Sequence, residues 1–290
     1  MNIIENNGNL ILEKVSDFEL SNIFDCGQCF RWDRVSESSY IGIAYGRALL
    51  VEKLSDRIIL HGTTKEEFKD IWCNYFDLNR DYAAIKKTLS SDSILRDAIG
   101  FGNGIRILNQ EPFETLISFI ISASNNIPRI KGIISRLCEN FGDEISYMGK
   151  TYYTFPSAER LAAETTESLS VIRAGFRDKY IIDAATKVAT GKLNLDSIHL
   201  MPTADAKAEL MTVNGVGNKV ADCALLFGFG KCDCFPTDVW IKRIMEHCYF
   251  GGNDTSLKTI SAYARDNFGG FGGFAQQYLF YWARENKIGV

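Results

Sequence analysis

Two short segments of this 290-residue chain carry the residue types of a single chemical device. The first, Val213-Asn214-Gly215-Val216-Gly217-Asn218-Lys219-Val220-Ala221-Asp222-Cys223, sets a lysine just past a glycine-rich turn. The second, Phe235-Pro236-Thr237-Asp238-Val239, supplies a carboxylate. Gly215 and Gly217 permit a tight turn at positive φ and leave amides open at the start of a helix, a natural seat for a phosphate. Lys219 follows two residues inside that helix, and the positive end of a helix dipole favours the neutral amine that a nucleophile needs. Cys223, four residues on, shares its face. Asp238 precedes Ile241, Ile244, Met245 and Cys248, the three-and-four spacing of a helix whose first turn would hold the carboxylate in place. A lone lysine is most often solvated and a lone aspartate most often an N-cap; it is their company that points to a site.

These residues need elements to position them. From Asn9 to about His61, short apolar runs alternate with polar turns: Leu10-Ile11-Leu12, Cys29-Phe30-Arg31-Trp32, Tyr40-Ile41-Gly42-Ile43 and Ala48-Leu49-Leu50-Val51. They read as strands of an antiparallel sheet. After Thr63-Thr64, a cap followed by Glu66 and Glu67, the pattern turns helical and is expected to stay so to the end. Phe113, Leu116, Ile117, Ile120 and Ile121 mark one core-facing helix after Pro112, and Val220, Cys223, Ala224 and Phe227 mark another. The fold class is α+β with a helical majority. Gly100, Gly102 and Gly104 place a packed junction near residues 95 to 105, dividing 1–100, a sheet lobe with helices, from 101–290, a helical region. Gly269-Gly270-Phe271-Gly272-Gly273 is expected to turn a final helix, with Gln276, Gln277 and Phe280, back toward the site.

Composition bounds the function classes. With 46% hydrophobic and 23% charged residues the chain is ordinary globular material, and it has no apolar run long enough to span a membrane. A cytoplasmic protein is expected, its eight cysteines reduced. Cys26/Cys29 and Cys232/Cys234 lack the matched partner pairs of a zinc site, and no cysteine after Cys248 supports an iron-sulfur cluster. The net charge of -4 runs against a broad nucleic-acid-binding face and leaves room only for local phosphate contacts. Neither a histidine-based hydrolase motif around His61, His199 or His247 nor a phosphate loop of nucleotide hydrolases is present.

Gly-Val-Gly-Asn-Lys-Val-Ala-Asp-Cys followed by Pro-Thr-Asp-Val resembles the helix-hairpin-helix DNA glycosylases, and within them the 8-oxoguanine DNA glycosylases. The resemblance covers residues 105 to 285 well and implies an antiparallel sheet lobe packed on a larger, all-helical helix-hairpin-helix lobe. It implies a bifunctional enzyme: Lys219 attacks the anomeric carbon of a flipped, damaged nucleotide, a Schiff base forms, and strand scission by β-elimination follows. Asp238 would orient the lysine and stabilise the charge growing on the sugar. Cys223 and Phe280 match the residues that sandwich the purine, Gln276 the one that reads its Watson-Crick edge, and the carbonyl of Gly27 the acceptor for the N7 proton that only the oxidised guanine carries. Ser124, Asn125, Asn126 and Arg129 match the loop that enters the DNA, with Arg129 and Arg177 as the arginines that read the orphaned cytosine.

Gly215, Gly217 and Trp240 complete the expected DNA contacts. The carbonyls of Met211, Val213 and Val216 are where the superfamily's hairpin often holds an alkali-metal ion; no cofactor is expected to be required. The chain departs from the family pattern at Ser124, where an asparagine is expected, at Phe176, where a tyrosine wedge is, at Asn214, a proline in relatives, and at Trp240, a phosphate-contacting histidine in some. Damaged double-stranded DNA is the expected partner of a monomer. The alternatives are a glycosylase for another damaged base, or a noncatalytic helix-hairpin-helix protein that would keep the glycines without needing Lys219 and Asp238.

Overall fold

The short apolar runs of the first 61 residues fold into an antiparallel sheet, with one short helix, Leu20–Phe24, between its second and third strands. In the computed structural model, which describes residues 1–289, six strands form: β1 (Asn2–Asn6), β2 (Asn9–Glu13), β3 (Trp32–Arg34), β4 (Ser39–Ala44), β5 (Arg47–Leu54) and β6 (Arg57–His61). Their spatial order is β1-β2-β6-β5-β4-β3. Register sets Leu10 opposite Leu60, Leu12 opposite Ile58 and Tyr40 opposite Val51, so one face of β2, β4, β5 and β6 is buried. That face closes on Phe24, Trp32, Trp72 and Phe76. Phe24 and Trp32 stack at 4.2 Å between centroids, and the Trp32 indole donates to the Tyr75 hydroxyl at 2.6 Å.

Two differences from the expected strands have local causes. β1 precedes Asn9 because Asn7 and Gly8 both take positive φ, as a two-residue hairpin turn requires. The run Cys29-Phe30-Arg31 is not strand, and β3 begins only at Trp32. Just ahead of it the Gln110 side-chain amide donates to the Gln28 carbonyl at 2.8 Å, and the Arg31 carbonyl accepts from the Ile43 amide at 3.3 Å.

Thr64 caps the next helix as its sequence indicated, accepting from the Glu67 amide at 3.1 Å. Helices follow, but not to the end. A hairpin of β7 (Glu144–Tyr147) and β8 (Lys150–Tyr153) interrupts them, turning at Met148 and Gly149, both at positive φ. The hairpin ties the helical part to the sheet, since the Tyr147 hydroxyl donates to the His61 carbonyl at 2.7 Å and accepts from the Leu50 amide at 3.0 Å.

The helical core is built on the helix Pro112–Ser122, in which every residue from Glu114 to Ile121 is buried. It packs on the helix Asn218–Phe229, equally buried from Val220 onward, with Phe119 and Phe227 stacked at 5.4 Å. Helices apolar all round belong in the centre of a lobe. The final helix, Gly272–Asn286, reaches this pair at Gly273, where a Cβ would fall 2.3 Å from a Leu226 methyl. Among the described residues no helix is long and apolar enough to cross a membrane.

Carboxylates join the sheet to the helical core. Arg31 and Glu114 form an ion pair at 3.1 Å with both side chains buried, and Glu111 accepts from the Tyr45 amide at 3.0 Å. Burial, and then the neighbouring Glu114, push the Glu111 carboxyl up to about 7. A carboxyl whose folded value is raised stabilises the fold fully below its unfolded value of 4.5, and that contribution is lost as pH rises through about 7. Glu111→Gln keeps the acceptor for Tyr45 and lacks the ionisation. Its stability relative to the parent should therefore rise between pH 4.5 and 7, by on the order of 1–3 kcal/mol, and level off above. Urea unfolding at several pH values measures this, and a pH-independent difference would contradict it.

Candidate active site

The turn joining the helices Thr203–Leu210 and Asn218–Phe229 is closed by the Val216 amide donating to the Val213 carbonyl at 3.1 Å. Its two glycines do different things, which corrects the expectation of positive φ at both. Gly215 sits at φ +82, with the Tyr180 ring 2.5 Å from where a Cβ would stand. Gly217 is extended, φ -98, and N-caps the second helix with nothing within 4 Å of a Cβ. The second glycine thus leaves open space before the first amides of the helix, where an anion can approach the positive end of the dipole.

Lys219, half-buried in the first turn of this helix, donates to the Ser122 hydroxyl at 3.1 Å and lies 5.0 Å from the centre of the Phe119 ring. Ser122 in turn donates to the Phe119 carbonyl at 2.7 Å, which leaves its lone pairs for the lysine. Asp238 caps the helix Val239–Tyr249, its Oδ1 accepting from the Ile241 amide at 2.8 Å. Lys219 and Asp238 line two spaces at once. One is an open groove of about 810 Å³ that also holds Ser124, Asn125, Asn126, Arg129 and Trp240. The other is a small cavity of about 40 Å³ walled by Gly27, Phe119, Cys223, Gln276, Gln277 and Phe280. That cavity admits only a few waters, so a larger occupant must part its walls.

The cavity's chemistry is set by burial. Burial pushes the Cys223 thiol up to about 11, so it remains a neutral, polarizable wall and not a thiolate. Gln276, which lines the cavity, is 6% exposed and its Oε1 is buried with no hydrogen-bond partner. Gly27, at φ +86, has the Phe280 ring 3.2 Å from where a Cβ would stand. Its loop is braced by three buried glutamines. Gln277 donates to the Cys26 carbonyl at 2.9 Å, Gln28 to the Ile23 and Arg106 carbonyls at 2.9 and 2.7 Å, and Gln110 to the Gln28 carbonyl.

At the groove, Asn126 caps the helix Ile127–Phe141 through the Arg129 amide, and Asn125 donates to the Ile121 carbonyl at 3.2 Å. Ser124 holds a positive φ and, like Arg129, is exposed. Arg177 differs from Arg129. It is 3% exposed, and its guanidinium donates to the carbonyls of Ala123 and Ala174, both at 3.0 Å, and of Ser124 at 3.3 Å. Phe176, 58% exposed, lies over that guanidinium at 4.3 Å. Arg177 therefore braces the loop, while Phe176 faces solvent. Ser122, Phe119, Gln28 and Gln110 have no place in the sequence reading, and Gln277 enters it only as part of the final helix. A serine ending a buried helix carries no signal, whereas Gln277, in an otherwise apolar helical run, was a readable oddity. Among the described residues no cluster of three or more His, Cys, Asp or Glu side chains is gathered for a metal ion.

The family model of the 8-oxoguanine DNA glycosylase N-terminal domain matches residues 10–116, and that of the HhH-GPD superfamily of base excision DNA repair proteins matches residues 117–267. The N-glycosylase/DNA lyase of Saccharomyces cerevisiae is 33% identical over 279 residues, 87% of this chain and 74% of that protein. Two solved structures, each covering 99% of both chains, are closely similar. One is MBOgg1 in complex with a low-affinity DNA ligand, TM-score 0.96 at 49% identity. The other is the Clostridium acetobutylicum 8-oxoguanine glycosylase/lyase in complex with double-stranded DNA containing cytosine opposite 8-oxoguanine, TM-score 0.97 at 46% identity.

The two turn glycines separate experimentally. Gly215→Ala should lower stability by roughly 1–3 kcal/mol through positive φ and the Tyr180 ring, whereas Gly217→Ala should cost less than about 1 kcal/mol. Thermal unfolding of both variants decides this, and equal losses would contradict the assignment.

Proposed function

We infer the chemistry of this site from the premise that the chain belongs to the 8-oxoguanine DNA glycosylase/lyase family of the helix-hairpin-helix superfamily. The observation that carries the residue assignments is that Lys219 and Asp238 stand where the open groove meets the small cavity. Duplex DNA lying in the groove can pass a single nucleotide inward only past these two side chains, and chemistry on a base requires that it leave the stack.

In this reading the Lys219 amine attacks the anomeric carbon, the bond to the base breaks, and the base departs with its electron pair. The amine and opened sugar form an imine, and loss of the 3′ phosphate by β-elimination cuts the strand. The Asp238 carboxylate, fixed as a helix cap, stabilises positive charge on the sugar as the bond breaks. Ser122 holds the lysine against the Phe119 ring until substrate arrives. The flipped 8-oxoguanine lies between Cys223 and Phe280, Gln276 meets its pairing edge with the unpartnered Oε1, and the Gly27 carbonyl accepts the N7 proton. Arg129 reads the cytosine left behind, Phe176 fills the vacated stack, and Arg177 supports the loop that carries Ser124 and Asn125.

The hairpin amides after Gly215 and Gly217 seat a backbone phosphate, with Trp240 beside it. The donor set of Met211, Val213 and Val216 is three neutral backbone carbonyls, which suits a singly charged hard cation. Such an ion would add positive charge near that phosphate. The protein acts as an intracellular monomer on damaged double-stranded DNA. A noncatalytic helix-hairpin-helix protein would need neither the lysine nor the capped carboxylate.

Release of free 8-oxoguanine from a duplex with cytosine opposite tests this reading, with undamaged and 3-methyladenine duplexes as comparisons. Selective release of the oxidised base is expected. Gln276→Ala should lower single-turnover release by about 10- to 100-fold while changing duplex affinity less than about threefold, because one buried hydrogen bond to the base is lost. Equal loss of release and affinity would contradict its role.

A further inference from the structure

In a chain of net charge -4, few cations line the groove, and one of them is already engaged. Lys242 lies one helical turn past Asp238, and its ammonium bonds to Glu246 at 2.9 Å and to Asp254. The two carboxylates differ in kind. Glu246 also accepts the Thr255 amide at 2.8 Å and is largely buried, so it is part of the loop's framework. The Asp254 side chain is 93% exposed and has Lys242 as its partner.

The backbone around Asp254 is nevertheless fixed. The Asn253 amide donates to the Phe250 carbonyl at 3.1 Å, and the Thr255 hydroxyl to the Asn253 carbonyl at 2.9 Å. Leu257, two residues beyond Thr255, lines the groove. A tied loop thus presents an exposed anion to a lysine at the edge of the path assigned to DNA. Exposed ion pairs are weak and exchange readily, and a phosphodiester offers the same anionic oxygens as a carboxylate.

We propose that Lys242 is a phosphodiester-binding residue of the groove, and that Asp254 is an internal phosphate mimic which the DNA backbone displaces. The proposal rests on the reading of the groove as the DNA path. Asp254 lowers affinity for every duplex and leaves the base-recognition cavity untouched, which limits retention on undamaged DNA. Because the displaced carboxylate is a single exposed charge with no condensed ion layer, its removal changes affinity more than salt dependence. Removal of Lys242 eliminates one phosphate neutralisation and so changes both.

The test is fluorescence anisotropy on a duplex bearing a stable tetrahydrofuran abasic analogue opposite cytosine, across a salt series, with the native chain, Asp254→Asn, Lys242→Gln and the double variant. Asp254→Asn should bind about 3- to 10-fold tighter with the logarithmic salt slope nearly unchanged. Lys242→Gln should bind more weakly, with a slope shallower by about one. The double variant should match Lys242→Gln. The proposal is overturned if Lys242→Gln leaves the slope unchanged, or if Asp254→Asn tightens binding equally without Lys242, which would indicate only a change in overall charge. If the native chain binds no duplex at all, the reading of the groove itself fails, and a normal native curve with an unaltered Lys242→Gln slope removes this proposal alone.

Discussion

The helix Pro112–Ser122 has almost no face toward solvent, and the site depends on that burial. Packed against the helix Asn218–Phe229 through the Phe119 and Phe227 rings, it fixes where Ser122 ends and where Lys219 begins. The nucleophile is therefore positioned by two helices that cannot shift without opening the centre of the lobe, where lost packing costs several kcal/mol. Asp238 arrives on a third helix by its own cap, and Gln276 and Phe280 on a fourth that approaches only because residue 273 lacks a side chain. Four segments distant in sequence meet at one point because each is anchored in the same apolar core.

The cavity adds a second constraint, polar this time. Gln28, Gln110 and Gln277 are buried, and each spends its amide on a backbone carbonyl of the Gly27 loop or its neighbours. A buried amide left unpaired is costly, so these bonds hold the loop to one geometry. Gln276 is the exception: its Oε1 is buried and unpartnered. The bracing glutamines thus spend their amides on backbone around the pocket, while Gln276, which lines it, keeps a buried oxygen without a partner. Arg177 belongs with the braces, since its donors are spent on the loop that carries the exposed Ser124.

Much of this was legible in the sequence because local chemistry dictates it. The strands β2, β4 and β5 followed from short apolar runs set between polar turns, the caps at Thr64 and Asp238 from residue type and spacing, and the Lys219 turn from its glycines, whereas β6 was not singled out. The hairpin turns at Asn7-Gly8 and Met148-Gly149 were missed, the first despite a strong Asn-Gly signal and the second because its strands are short and half exposed. The partners of Gln28, Gln110 and Ser122 lay beyond reach, because the bonds Gln28–Arg106, Gln110–Gln28 and Lys219–Ser122 span 78 to 97 residues and only packing brings them together. Arg177 was read from residue type as a cytosine contact, and in the free protein its guanidinium is buried on the carbonyls of Ala123, Ala174 and Ser124, a placement that only the fold reveals. Where a residue's function depends on which face of a loop it meets, spacing alone does not decide.

That the Lys219 amine becomes covalently joined to the sugar is the central claim, and borohydride trapping on a duplex with 8-oxoguanine opposite cytosine tests it most directly. Reduction should give a stable protein–DNA adduct whose modified peptide contains Lys219, and the adduct should be absent from Lys219→Gln while duplex binding persists. An adduct that maps elsewhere, or one that forms undiminished in the variant, would contradict the assignment of the nucleophile.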